Sequence, residues 1–144
     1  MEQGFSLITE LSEIRKIKNE ILEREEQLST PKLVDLGLIP EIYKWFCELL
    51  SNRDFPPQTD SPYQRKKFIF IILYLYAPSC FAGSRLSGRI REELAKAVGC
   101  HPTYISHNIE NVIFYFQQYK DFGGDVVRIY NEIIDRLKAK GIIS

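Results

Sequence analysis

The sequence predicts an all-α fold: a single compact helical domain of five or six helices, led by an N-terminal amphipathic, coiled-coil-like helix. Three observations carry this reading. Apolar residues recur at three- and four-residue steps in several stretches, a helix-start pair (Ser61-Pro62) precedes the most apolar of them, and no partner strands stand elsewhere in the chain. The length of 144 residues suits about one domain. With 44% hydrophobic and 26% charged residues, the chain has enough apolar surface for a buried core and too little charge excess for disorder.

The first element runs from Leu7 to Leu28. Leu7, Leu11, Ile14, Ile21 and Leu28 fall on a seam of three- and four-residue steps that Lys18 and Glu25 interrupt. This seam, widened by Ile8, Ile17 and Leu22, suits either a homo-oligomer or docking on the chain's own domain. Residues 1–30 are therefore read as an association or docking helix and residues 31–144 as the helical domain. Thr30-Pro31 ends the first helix, because proline lacks an amide hydrogen and restricts the residue before it. "LIPEIYKWFCELL" reads as a second helix with Pro40 in its first turn and Ile42, Trp45, Phe46, Leu49 and Leu50 on its apolar side.

A polar loop broken by Pro56 and Pro57 follows. Ser61-Pro62 then offers a hydroxyl for early amide hydrogens and a proline for the first turn, so Arg65, Lys66 and Lys67 lie on a helix entering "FIFIILYLY". Those nine residues also suit a buried strand; the start signal and the lack of partner strands favour a helix that Pro78 stops. After "APSCFAGSRLSG" comes a helix near Gly88–Val98, a turn at Gly99-Cys100-His101, and a long helix from Pro102 to about Tyr119. Val112, Ile113, Phe114, Tyr115, Phe116 and Tyr119 make that helix apolar enough to be buried on several sides, with only its first two turns free. "DFGG" is expected to break the chain, and Asp125 to cap a last helix carrying Val126, Ile129, Ile133 and Leu137 and ended by Gly141.

Several function classes are excluded or disfavoured. The longest apolar run, Phe68 to Ala77, is ten residues, against the ~20 that cross a bilayer, so no membrane span is expected. "MEQGFSLITELSEIRK" carries acids early and has no basic start, so no secretory signal is expected. Cys47, Cys80 and Cys100 are an odd number without CxxC spacing, which suits reduced thiols and a cytoplasmic protein. Cys100, His101 and His107 lack further ligands at metal spacing, so neither a metal nor another cofactor is implied. Cys100 suits core packing better than nucleophilic chemistry, and "DFGG" has none of the motifs that accompany it in kinases. The chain is read as a non-enzyme.

Charge is zero overall but unevenly placed. Residues 1–60 hold seven Lys/Arg and twelve Asp/Glu (net −5), residues 61–100 seven and two (net +5), and residues 101–144 five and five (net 0). A basic island of this kind suits a phosphate-binding surface, although surface Lys and Arg also serve solubility alone.

Within and beyond that island, "IREELAKAVGCHPTYISHNIENV" (residues 90–112) resembles the helix-turn-helix of DNA-binding proteins, most nearly that of LuxR-type regulators and sigma-factor region 4. The matching positions have steric reasons. Ala95 lets the two helix axes approach, Gly99 can take the positive φ that reverses the chain, and Pro102 starts the second helix where its missing amide hydrogen costs nothing. Leu94, Val98, Ile105 and Ile109 supply the apolar lock. The resemblance implies a helix-turn-helix at about 88–119 and duplex DNA as partner, for a small transcriptional regulator or a phage or mobile-element accessory protein. It implies base-facing roles for His101, Thr103, Ser106, His107 and Glu110, with Tyr104 flanking the backbone. Residues His101 to Gln118 contain no Lys or Arg, and Glu110 would repel phosphate. Phosphate contacts would fall to Arg85, Arg89, Arg91, Lys96 and Lys120, with Arg65, Lys66 and Lys67 as further candidates. The alternative is a non-enzymatic phage or multisubunit assembly protein, including one like a terminase small subunit, that uses the same helices to contact a protein partner.

Overall fold

The computed structural model describes residues 2–144, with side chains from residue 5 onward; residue 1 of the expected N-terminal helix lies outside that range. Six α-helices follow one another: α1 (Glu2–Leu28), α2 (Ile39–Ser51), α3 (Pro62–Tyr76), α4 (Gly88–Val98), α5 (Pro102–Gln118) and α6 (Lys120–Ala139). Short 3-10 turns lie at Leu36–Leu38 and Pro78–Ala82, and no strand is present among the described residues. The fold is all-α. No helix among those residues is long and apolar enough to cross a membrane.

The chain divides into two units between Thr30 and Pro31. The first is α1, in which every side chain from Phe5 to Leu28 is exposed. In the second, the start of α3 follows from local chemistry: Ser61 Oγ accepts the Gln64 amide hydrogen at 3.3 Å, and Pro62 opens the first turn. The run from Phe68 to Leu73 is buried at every position, so α3 is covered on all sides and forms the centre of the core. Each such side chain contributes ~1.5–3 kcal/mol relative to exposure. Phe68 packs against Tyr43 and Phe46 of α2, with ring centroids 4.8 and 5.4 Å apart. The far end of α3 is tied down where Lys32 and Leu33 donate their amides to the Leu75 carbonyl and the Tyr76 hydroxyl donates to the Asp35 carbonyl at 2.6 Å.

Three expectations are corrected. "DFGG" does not break the chain: Phe122, Gly123 and Gly124 lie in the first turns of α6, and the Gly123 amide donates to the Tyr119 carbonyl at 2.9 Å. The reversal is at Tyr119 itself, whose backbone is extended (φ −111°, ψ 107°). Gly123 is there for close approach, since a Cβ would stand 3.0 Å from the Phe116 carbonyl oxygen of α5.

Asp125 caps nothing. It is 5% exposed inside α6, where its carboxylate accepts from Lys67 Nζ at 2.7 Å and from Arg53 Nη2. Lys67, 4% exposed, is thereby removed from the candidate phosphate contacts, because its charge is spent inside the core. Burial pushes the Asp125 carboxyl up, but hydrogen bonds and charge from Arg53 and Lys67 outweigh that and hold it below the usual carboxylate range.

The third correction concerns α5. Only Ile105 and Val112 are buried along it, and Phe114 in its later half is 50% exposed. Tyr104, Ile109, Tyr115 and Phe116 are half-buried beside them as α5 packs against α3, α4 and α6, but the opposite face is open along the whole helix rather than over its first two turns alone.

Candidate functional site

Residues Gly88 to Gln118 place two helices around a tight reversal. Ser87 Oγ accepts the Ile90 amide hydrogen and starts α4. At the other end Gly99 adopts φ +73°, its amide donates to the Lys96 carbonyl at 3.3 Å, and the Cys100 amide donates to the Ala95 carbonyl at 2.9 Å. This pair of bonds satisfies carbonyls that the end of a helix leaves open, and a glycine takes the left-handed position without a Cβ penalty. Leu94, Ala95, Val98 and Ile105 are buried between the helices and the core; Ile109 is half-buried against it. Burial raises the Cys100 thiol above its ordinary range, with Arg65 opposing, so this cysteine sits as a packed neutral thiol.

His101 caps the start of α5, and this changes that residue's expected role. Its Nδ1 accepts the Thr103 amide hydrogen at 3.1 Å, the task of a helix cap. In the neutral ring that bond leaves Nε2 as the hydrogen-bearing nitrogen. Thr103, Ser106, His107 and Glu110 are all exposed and fall on one face of α5, opposite Ile105 and Val112. Ser106 Oγ accepts from Arg91 Nη1 at 3.3 Å, which links the side of α4 to that face. Tyr104 faces another way, with the Arg65 guanidinium 5.9 Å from its ring centroid.

The candidate phosphate residues are less united. Arg85 and Arg91 line a cleft of about 660 Å³ with Ser106, His107 and Glu110. Arg91 is half-buried and its Nε has no partner among the described residues. Arg89 and Lys96 are exposed on the outer face of α4, which they share with Glu92 and Glu93; Lys96 pairs with Glu93 at 3.3 Å. That face is electrically balanced. Lys120 is exposed, but it follows the far end of α5, a helix of about 25 Å by its 17 residues, and so does not join the first turns. Lys66 is half-buried, with its ammonium 5.2 Å from the Tyr115 ring centroid.

Two features of this surface were not foreseen from the sequence. The cleft itself depends on the loop at Gly83 and Ser84 folding back beside α5, and Phe114 extends the exposed face with a large apolar side chain. Only the second left a trace in the sequence, as an aromatic residue that the helical stripe had no need of. Among the described residues no group of three or more His, Cys, Asp or Glu is arranged to hold a metal. Comparison of the chain with protein-family models, curated proteins and solved structures finds no match.

Proposed function

We propose that this protein binds duplex DNA through the first turns of α5, as a helix-turn-helix protein of the small-regulator or phage and mobile-element accessory kind, and that α1 joins copies into a homo-oligomer. One observation carries the DNA reading. The start of α5, entered through the Gly99 turn and anchored by Ile105, presents Thr103, Ser106 and His107 outward with Arg85 and Arg91 alongside. Hydroxyl and imidazole groups on one exposed helix face can reach base edges in a major groove, while neighbouring arginines hold phosphates. His101 belongs to this surface as the cap of α5, with its Nε2–H available as a donor. Glu110 limits how deep along α5 the groove can extend, since it would meet phosphate unfavourably.

The test is titration of the full chain against mixed-sequence duplex at low and moderate salt. Two phosphate contacts per copy, from Arg85 and Arg91, would give a log–log slope of roughly −2. Failure to bind at low salt would give preference to the second reading, assembly with a protein partner. That reading has its own support: the balanced outer face of α4, the lack of any Lys or Arg from His101 to Gln118, and the exposed ring of Phe114.

A further inference from the structure

An apolar feature not used by the surface of α5 is the seam of α1. Leu7, Ile14, Ile21 and Leu28 recur every seven residues, 48% to 62% exposed, and Leu11, Lys18 and Glu25 stand between them to complete the seam. One edge of this seam carries Ile8, Arg15 and Leu22; the other carries Glu10, Ile17 and Arg24. A seam with this heptad spacing seeks a second helix of the same kind.

We infer that α1 pairs with α1 of a second copy in antiparallel orientation, in the register that sets Leu11 of each helix against Ile21 of the other. A parallel pair would set each seam residue against its own copy, stacking Lys18 on Lys18 and Glu25 on Glu25 inside the interface. Two like-charge layers among so few are costly. Reversing one helix removes both. Leu11 then meets Ile21 of the second copy, Ile14 meets Lys18, and Leu7 meets Glu25 near the open ends. The Lys18 stem lies along apolar surface while its ammonium reaches water.

The edges favour the same arrangement. In an antiparallel pair each edge meets its own kind, so Glu10 faces Arg24 of the second copy, and symmetry repeats that ion pair. Ile17 meets its own copy at the two-fold axis, and Ile8 meets Leu22 on the other edge. The like-charge contact that remains, Arg15 with its own copy, lies at an exposed edge where long side chains can separate into water. Sliding the register by one heptad either way would separate Glu10 from Arg24 and leave either Leu7 or both Glu25 and Leu28 beyond the end of the second helix. This pairing deepens the homo-oligomer part of the proposed function and does not depend on what α5 binds.

The test uses the full chain without DNA, with particle mass read by sedimentation velocity and helical content by circular dichroism. Wild type is expected to be a dimer and Ile21→Asp a monomer of unchanged fold. Glu10→Arg should weaken dimerisation about tenfold, or ~1.4 kcal/mol. Adding Arg24→Glu should restore it, whereas adding Arg15→Glu should not. Rescue by Arg15→Glu in place of Arg24→Glu would assign a parallel pair and overturn the inference. A monomeric wild type, or a dimer indifferent to Ile21→Asp, would overturn it too. Because no DNA is present, a failure of DNA binding leaves these masses unchanged and is read separately.

Discussion

The surroundings of Asp125 and the outer face of α5 use similar polar residues for opposite ends. Around Asp125, Lys67 and the carboxylate are nearly sealed from water, and Arg53 closes the group from a loop. On α5, Thr103, Ser106 and His107 face solvent and make few bonds within the protein. A buried charge is costly unless paired, so the first group is bound to its neighbours by necessity; the second is free to meet something else. Basic residues that the sequence places in one island thus divide, by burial, into internal ties and candidate contacts.

The sharpest way to break this comparison is Asp125→Ala. It leaves Lys67 charged, buried and unpartnered, which should cost ~3–5 kcal/mol in urea unfolding. Arg128, 3.5 Å away but with a largely exposed side chain, adds little to the native pair. Acid provides a second test. The folded carboxyl titrates below its ordinary value, so its stabilisation is complete above about pH 4 and is lost as pH falls through the lowered folded value. The stability gap between wild type and Asp125→Ala should therefore narrow below pH 4. A gap that stays constant with pH would show that the carboxylate's charge is not what holds Lys67.

Next in size is Gly99→Val, which tests whether the reversal between α4 and α5 depends on backbone freedom. No atom lies within 4 Å of where a Cβ would stand, so the cost is conformational, ~1–3 kcal/mol for a β-branched residue at φ +73°. A neutral result would mean that the turn relaxes without cost. His101→Ala should follow at ~1 kcal/mol, through loss of the bond from the Thr103 amide. Replacement by Ser should recover most of that stability, which separates the cap from any contact that needs the imidazole.

Where the signal was local, the sequence was legible. Ser61-Pro62 starts α3, Pro40 falls in the first turn of α2, and Gly99 takes its left-handed turn, because each depends on a few adjacent residues. Asp125 was misread for the complementary reason. After two glycines an aspartate looks like a helix cap, and its partners Arg53 and Lys67 lie 72 and 58 residues away in the chain. Gly123 was likewise read as a breaker, although its requirement comes from the Phe116 carbonyl of another helix. At the candidate site, the outward placement of Thr103, Ser106, His107 and Glu110 was implied by the resemblance to a helix-turn-helix, and all four are exposed on one face of α5. The cap at His101 and the link from Arg91 to Ser106 were not implied, since they depend on side-chain rotamers and the approach of α4 to α5.

The smallest expected stability effect is the most informative about function. His107→Ala removes an exposed side chain that makes no hydrogen bond among the described residues, so the unfolding free energy should move by no more than ~0.5 kcal/mol. If α5 reads a groove, the same change should reduce the preference for a selected site over scrambled duplex, each lost base contact being worth roughly 1–3 kcal/mol. Arg85→Ala is the natural counterpart, because a phosphate contact should weaken binding to both DNAs alike and make the salt slope shallower by about 1. A drop in stability for His107→Ala would mean that this face is covered in solution. Unchanged stability and unchanged DNA preference, with loss of a protein complex, would move the role of the face from DNA to assembly.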